Sequence, residues 1–438
     1  MKGIFTGKVF CVLDAALHWR NALVVFCVVA AAATSVKLVL GLAGNERDAY
    51  NNVLIFRASF VHLWEGSNLY RTYPSEHNDL FKYSPTFALL AAPMAIMPAA
   101  LAAALWNALN SAVFIVGVNC LSISGRKKAM LLWITLVEVT TSLQNFQSNL
   151  LVAGFFLVAY TALERQQWMQ AMFWVVLLAS IKLYGAVVVM FCLPVITSAF
   201  RTAREVHLHY VRALVGNVFM RSFQPIFSLG GWFLCWLVLF GIAPIVIVGW
   251  RGLITLHQQW LELLRTDHAI SVGMSFFGFV ALWMPTPVEL NWKSGVLAVQ
   301  VLTLVISCLP LMRKNVTESP ALKLLIASSL LLWMVVFNHK AESPTYCIAL
   351  LGVGLWYIAD VHSTDSLWHR YKGYALWLII VLTSLSVTDI VPLWIREEWI
   401  ATWNIKALPC SLLWFVVQWQ VWQKQRADQI SPPTSAVA

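Results

Sequence analysis

Apolar residues in this chain come in unbroken runs of about 15–24 positions, separated by short polar links. Spanning strands would instead show roughly ten-residue segments with alternating hydrophobicity. A hydrocarbon layer about 30 Å thick leaves no backbone group unpaired, so it admits only helices or closed barrels. Run length therefore predicts an all-α polytopic membrane protein. About 12 transmembrane helices are expected, near 20–43, 99–120, 129–143, 149–163, 168–182, 185–200, 226–249, 294–312, 321–337, 344–360, 374–391 and 408–422. Several fall short of the roughly 20 residues that a perpendicular span needs, which predicts helices enclosed by the bundle or bordering a cavity. Segments 84–98 and 271–284 are also apolar and are read as half-inserted. The expected organisation is one integral membrane domain, 1–438, with a first outer loop 44–83, a second outer loop 250–293 and a cytoplasmic tail 423–438.

Charge sets the orientation. The chain is 60% hydrophobic and 11% charged, whereas soluble domains carry about 25% charged residues. Threading the spans alternately puts 18 Lys and Arg against 7 Asp and Glu on the side of the N-terminus, and 11 against 12 on the other. Basic loops stay in the cytoplasm, so both termini are expected there. Treating 84–98 or 271–284 as a full crossing would move the Arg126–Lys128 cluster to the wrong side. The formal charge of +10 then reflects topology rather than nucleic-acid binding, and the bulk partner is membrane lipid. The 201–225 stretch, longer than the other cytoplasmic links, reads as a surface helix.

The eight cysteines form no C-x-x-C pair, so neither a zinc site nor a disulfide framework is indicated. About twenty mixed residues precede the first long apolar run, which reads as a retained helix rather than a cleaved signal. There is no P-loop, dinucleotide fingerprint or H-E-x-x-H.

Polar residues at membrane depth are costly and usually functional, and here they converge on the outer side. Asp48 follows the first span, in Glu46-Arg47-Asp48-Ala49-Tyr50. A carboxylate at this boundary can take a proton from a hydroxyl; it also suits a helix N-terminus for electrostatic reasons alone. Leu54, Phe56, Phe60, Leu63 and Trp64 continue as an amphipathic, interfacial helix, and Asn68 and Tyr70 close it. Lys82 and Tyr83 precede Ser84-Pro85, a cap-and-proline helix start. They read either as phosphate ligands near that N-terminus or as an interfacial anchor. Gln144, Asn145, Gln147 and Asn149 put four amides into six residues, suited to sugar hydroxyls or to open helix ends. Lys182 and Tyr184 interrupt an apolar run. Lys37, near the outer end of the first span, reads as snorkelling. The densest cluster is Asn338-His339-Lys340-Ala341-Glu342-Ser343 before Pro344, with cationic donors of the kind that stabilise a leaving phosphate. The second outer loop adds His268 among aromatic and hydroxyl residues.

Taken together, "EGSNLY", "FKYSPTFALLAAPMAIMP", "LWNALN", "QNFQSNLLVAG", "IKLYG" and "FNHKAESPTY" resemble the bacterial polyprenyl-phosphate-sugar-dependent glycosyltransferases of family eighty-seven. Their best-understood relative is the mannosyltransferase of phosphatidylinositol mannoside synthesis. The resemblance runs from about residue 20 to 362 and rests on the order and spacing of the motifs. It implies the C-type glycosyltransferase fold and an inverting transferase on the outer face of the inner membrane. Asp48 matches the family's base, and His339 matches the histidine that handles the donor phosphate. It further implies a polyprenyl-phosphate donor of a mannose-like hexose or a pentose, a glycolipid or glycan acceptor, and no cofactor, with no divalent metal expected. Lys340, Lys182 and Lys82 extend the phosphate site by chemistry and position. A transporter or flippase of a lipid-linked sugar is the rival class, but transporters show inverted repeats and midplane sites, which this pattern lacks.

Overall fold

The structure is a computed structural model, and it describes residues 14–44, 46–209, 215–266, 273–283, 292–313, 319–359 and 366–430. Among them every regular element is helical. In chain order they are α1 (Trp19–Leu42), α2 (Glu46–Glu65), the short α3 (Pro85–Leu90), α4 (Ala99–Cys120), α5 (Gly125–Gln144), α6 (Asn149–Glu164) and α7 (Trp168–Ile181). A 3₁₀ stretch, Leu183–Cys192, leads into α8 (Leu193–His209), α9 (Val215–Ile242), α10 (Ile245–Thr266), α11 (Phe276–Ala281) and α12 (Trp292–Cys308). The chain ends with α13 (Pro320–Val336), α14 (Tyr346–Ile358), α15 (Ser366–Ile379) and α16 (Leu408–Ile430).

Each of the twelve apolar runs falls mainly on helical chain. Among the described residues, five helical stretches are long and apolar enough to cross a bilayer: Trp19–Leu42, Ala99–Cys120, Leu183–Arg204, Arg221–Ile242 and Ser294–Met312. A sixth is formed if Leu393–Ala401 and Ile405–Lys424, bent by 67°, make one broken span. The remaining runs form shorter apolar helices such as α6, α7 and α13, and these are the most enclosed. Leu325, Leu330, Leu331, Val335 and Leu350 are fully buried. By contrast, only 6% of the Arg221–Ile242 stretch is buried within the protein. An apolar face of that extent without a protein partner calls for lipid. The described residues of 201–225 belong to α8 on one side and α9 on the other.

Capping residues start the helices where the local chemistry requires. The Ser84 hydroxyl accepts from Phe87 N at 3.2 Å with Pro85 in the first turn, and Ser319 does the same for Leu322 ahead of Pro320. Small residues set the tightest crossing. A Cβ on Gly117 would lie 2.5 Å from the Gly154 carbonyl oxygen, so α4 and α6 meet backbone to backbone as membrane helices do at small residues. Asn107, from the "LWNALN" motif, ties three helices by donating to Thr34 Oγ1 at 3.0 Å and to the Leu143 carbonyl at 2.9 Å.

Candidate active site

Five separate segments close around one cavity of about 440 Å³. The α2 helix contributes Asn51, Asn52 and Ile55; the loop before α3 contributes Asp79, Lys82 and Tyr83; the α5–α6 turn contributes Asn145 and Gln147. The break after α7 adds Lys182 and Tyr184, and the segment before α14 adds Asn338, Lys340 and Glu342. Three lysines and two carboxylates thus line the same cavity.

Local backbone explains how these groups arrive there. The α5 helix ends in a tight turn with Phe146 at φ +48°. Its terminal carbonyls are taken by side chains: Trp106 Nε1 donates to Phe146 O at 2.8 Å, and Asn52 Nδ2 to Asn145 O at 2.7 Å. The turn's amides divide between a helix end and a hydrogen-bond network. Asn145 donates back to Thr141 O at 2.8 Å and finishes its own helix, while Gln147 and Asn149 join a network. Lys182 Nζ donates to Asn149 Oδ1, Asn149 Nδ2 to Gln147 Oε1, and Gln147 Nε2 to Glu342 Oε2, each at 2.6 Å. The Lys182 ammonium also faces the Tyr184 ring at 5.7 Å. Tyr83 shares a 3.2 Å hydrogen bond with Ser148 Oγ and stacks on Phe87 at 4.4 Å. Lys82 pairs with Asp79 at 3.2 Å on the exposed rim.

Burial governs the protonation of two lining groups. Lys182 sits in the link between helices, and desolvation lowers its ammonium to about 8 against the opposing pull of Glu342. Burial pushes the Tyr83 phenol up to about 12, so it stays a neutral hydroxyl.

Of the sequence-predicted residues, Lys82, Tyr83, Gln147, Lys182, Tyr184, Asn338, Lys340 and Glu342 line the cavity, with Asn149 bonded directly behind it. Asp48 does not line it. It stands exposed in the first turn of α2, just ahead of Asn51 and Asn52, with a backbone break at Tyr50 (φ −118°, ψ 18°) between. His339 is half-buried, one residue from two lining positions. Its carbonyl packs against Gly273, which has φ +29°; a Cβ there would lie 2.5 Å from the Ala341 carbonyl oxygen and 2.9 Å from that of His339.

Other predicted residues serve the scaffold. Tyr50 is fully buried and donates to the Leu38 carbonyl at 2.8 Å, its ring filling the space where Gly41 lacks a side chain. Asn68 accepts from Tyr70 N at 2.9 Å to form a turn, and the buried Tyr70 donates to Tyr83 O at 3.2 Å. Gln144 ends α5 outside the cavity lining, and the Ser343 hydroxyl accepts from Lys406 Nζ at 2.8 Å. His268 lies outside the described residues. Asn51, Asn52 and Asp79 were not foreseen; two consecutive amides one turn beyond Asp48 are the signal that could have found the first two. Among the described residues, no group of three or more His, Cys, Asp or Glu is arranged to hold a metal ion.

Residues 81–337 match the model of glycosyltransferase family 87. The chain belongs to that family. Among curated proteins none matches it. Membership makes this a membrane glycosyltransferase and retires the transporter reading. The family match begins at the segment carrying Lys82 and Tyr83 and contains Gln147, Asn149, Lys182 and Tyr184. It stops one residue before Asn338, so the cavity joins matched and unmatched parts of this family 87 enzyme.

Proposed function

We propose that this family 87 enzyme transfers a mannose-like hexose or a pentose from a polyprenyl-phosphate donor to a glycolipid or glycan acceptor, with inversion. The observation carrying the reading is the cavity itself: Lys82, Lys182 and Lys340, distant in sequence, line it together with Asn51 and Asn52 from the α2 turn that follows Asp48. In this reading the donor phosphate sits against Lys340 and Lys182, with His339 beside them, and Lys82 at the rim guides its approach. Gln147, Asn149, Asn338 and Glu342 receive sugar hydroxyls, while Tyr83 and Tyr184 give the ring a flat apolar wall.

Asp48 takes the proton of the acceptor hydroxyl, whose oxygen attacks the anomeric carbon in line. The bond from that carbon to the phosphate oxygen breaks, and the phosphate leaves with the electron pair. Cationic donors aimed at the growing negative charge lower the barrier. One carboxylate suffices because inversion is a single displacement by an activated hydroxyl; a retaining enzyme needs a second carboxylate as nucleophile. The wider reading comprises a C-type fold with about twelve crossings, both termini cytoplasmic and the site at the outer face of the inner membrane. The lining lysines lie in links between helices rather than inside them, which supports it.

Purified protein in detergent, given polyprenyl-phosphate sugars and an envelope lipid extract, should release polyprenyl phosphate and form a new glycolipid. Asp48→Asn should lower the rate by about 10²–10⁴-fold, the usual worth of a general base, with donor binding retained. Retention of the full rate would remove Asp48 from this role. No turnover of any polyprenyl-phosphate sugar would remove the donor class.

A further inference from the structure

A buried ion pair lies behind the cavity. Lys406 is 1% exposed and Glu138, inside the apolar run of α5, is 0% exposed. Lys406 Nζ reaches Glu138 Oε1 at 2.8 Å and Oε2 at 3.0 Å, and spends its third hydrogen on Ser343 Oγ at 2.8 Å. The Tyr346 ring covers the same ammonium at 5.1 Å. Isolated charges at such depth are expensive, so the pair calls for an explanation beyond helix packing.

The third hydrogen bond supplies one. Ser343 directly follows Glu342, which holds Gln147 at 2.6 Å, and Lys340 lies three residues earlier. The same C-terminal turn grips this segment from a second side. Asn404, at φ +49°, donates to the carbonyls of Gly273 and Ser275 at 3.2 Å each. Met274 N in turn donates to Ala341 O, and Tyr346 Oη to Met274 O, both at 2.8 Å. Segment 338–343 is therefore clamped between the turn at 273–275 and a single 3₁₀ turn, Ile405–Ala407, that lies beyond the family match.

We infer that Lys406, charge-balanced by Glu138, is a positioning residue: through Ser343 it sets the register of the segment presenting Lys340 and Glu342 to the donor. An ammonium makes this contact because it has three hydrogens to share, two anchored on Glu138 of α5 and one on the segment. Removing the pair's charge balance is a folding lesion, whereas removing only the Ser343 hydroxyl leaves the pair intact and frees the segment. The inference rests on the proposed transfer reaction for its effect on rate, but not for its structural claim.

The test pairs two measurements on full-length protein in detergent: hydrogen–deuterium exchange of peptides covering 338–346, and transfer kinetics. Ser343→Ala should keep the wild-type unfolding temperature, raise exchange in those peptides several-fold, and raise donor KM or lower kcat roughly 10- to 100-fold, the range for losing a hydrogen bond to a charged group. Ser343→Thr, which returns a hydroxyl, should recover both. If Ser343→Ala does not fold, Glu138→Leu with Lys406→Met, apolar at both positions, carries the same two measurements. Unchanged exchange, or raised exchange with wild-type kinetics, overturns the positioning role. Raised exchange in a protein that turns over no polyprenyl-phosphate sugar at all would support the clamp and defeat the donor assignment instead.

Discussion

Gln147 and Glu342, 195 positions apart, share a 2.6 Å hydrogen bond from the Gln147 amide to the Glu342 carboxylate. This contact closes one side of the cavity, since Gln147 ends the link between α5 and α6 while Glu342 precedes α14. An amide holding a carboxylate at this distance fixes both side chains at the cavity lining.

Gln147→Ala should therefore loosen Glu342 and cost about 1.5–3 kcal/mol of donor binding, the usual range for a hydrogen bond to a charged group. A rise in donor KM of roughly tenfold or more, with little change in unfolding temperature, is the expected result. Titration calorimetry with a polyprenyl-phosphate sugar, or initial-rate kinetics, measures it.

Lys182 gives the reaction a pH dependence of definite sign. Burial lowers its ammonium to about 8, so it is charged below that pH and neutral above it. A phosphate prefers the charged form, so donor affinity should be full at pH 6–7 and fall as pH rises through about 8. Lys182→Arg, whose guanidinium stays charged throughout, should flatten this alkaline limb. Lys182→Met should weaken donor binding below about pH 8 and approach the wild type above it, where the amine is already neutral. An alkaline limb that persists unchanged in Lys182→Arg would assign it to another group.

The Gly154 crossing makes a stability prediction. A Cβ at Gly154 would lie 2.5 Å from the Val113 carbonyl oxygen and 2.9 Å from Phe114 Cα, both backbone atoms that cannot swing aside. Gly154→Val should force α4 and α6 apart at a cost of about 1–3 kcal/mol or more. Thermal unfolding in detergent, followed by fluorescence size-exclusion chromatography, should show an earlier transition or loss of the folded peak.

Tyr50 separates packing from substrate contact. Its hydroxyl is committed to the Leu38 carbonyl and its ring to Gly41. Tyr50→Phe should lose about 0.5–1.5 kcal/mol of stability and keep near-normal transfer. Tyr50→Ala, which empties an aromatic site, should cost about 3–5 kcal/mol and compromise folding. A large fall in rate for a well-folded Tyr50→Phe would return the phenol to the site.

What the sequence alone determined is what neighbouring residues decide together. Helical membrane architecture follows from run length, because a backbone in hydrocarbon has no other way to satisfy itself. The Ser84-Pro85 helix start follows from capping chemistry within four residues. Lys182 and the 338–343 cluster stood out because a charge inside or beside an apolar run is rarely idle. The cavity itself was a matter of tertiary structure. Only the packed chain brings Lys182, Gln147 and Glu342 into one network, buries Tyr50 while leaving Asp48 exposed, and joins Lys406 to Glu138 across 268 positions. Each of these depends on which helix faces push against one another. A local pattern states that a side chain needs a partner, while long-range closure of the chain chooses which one.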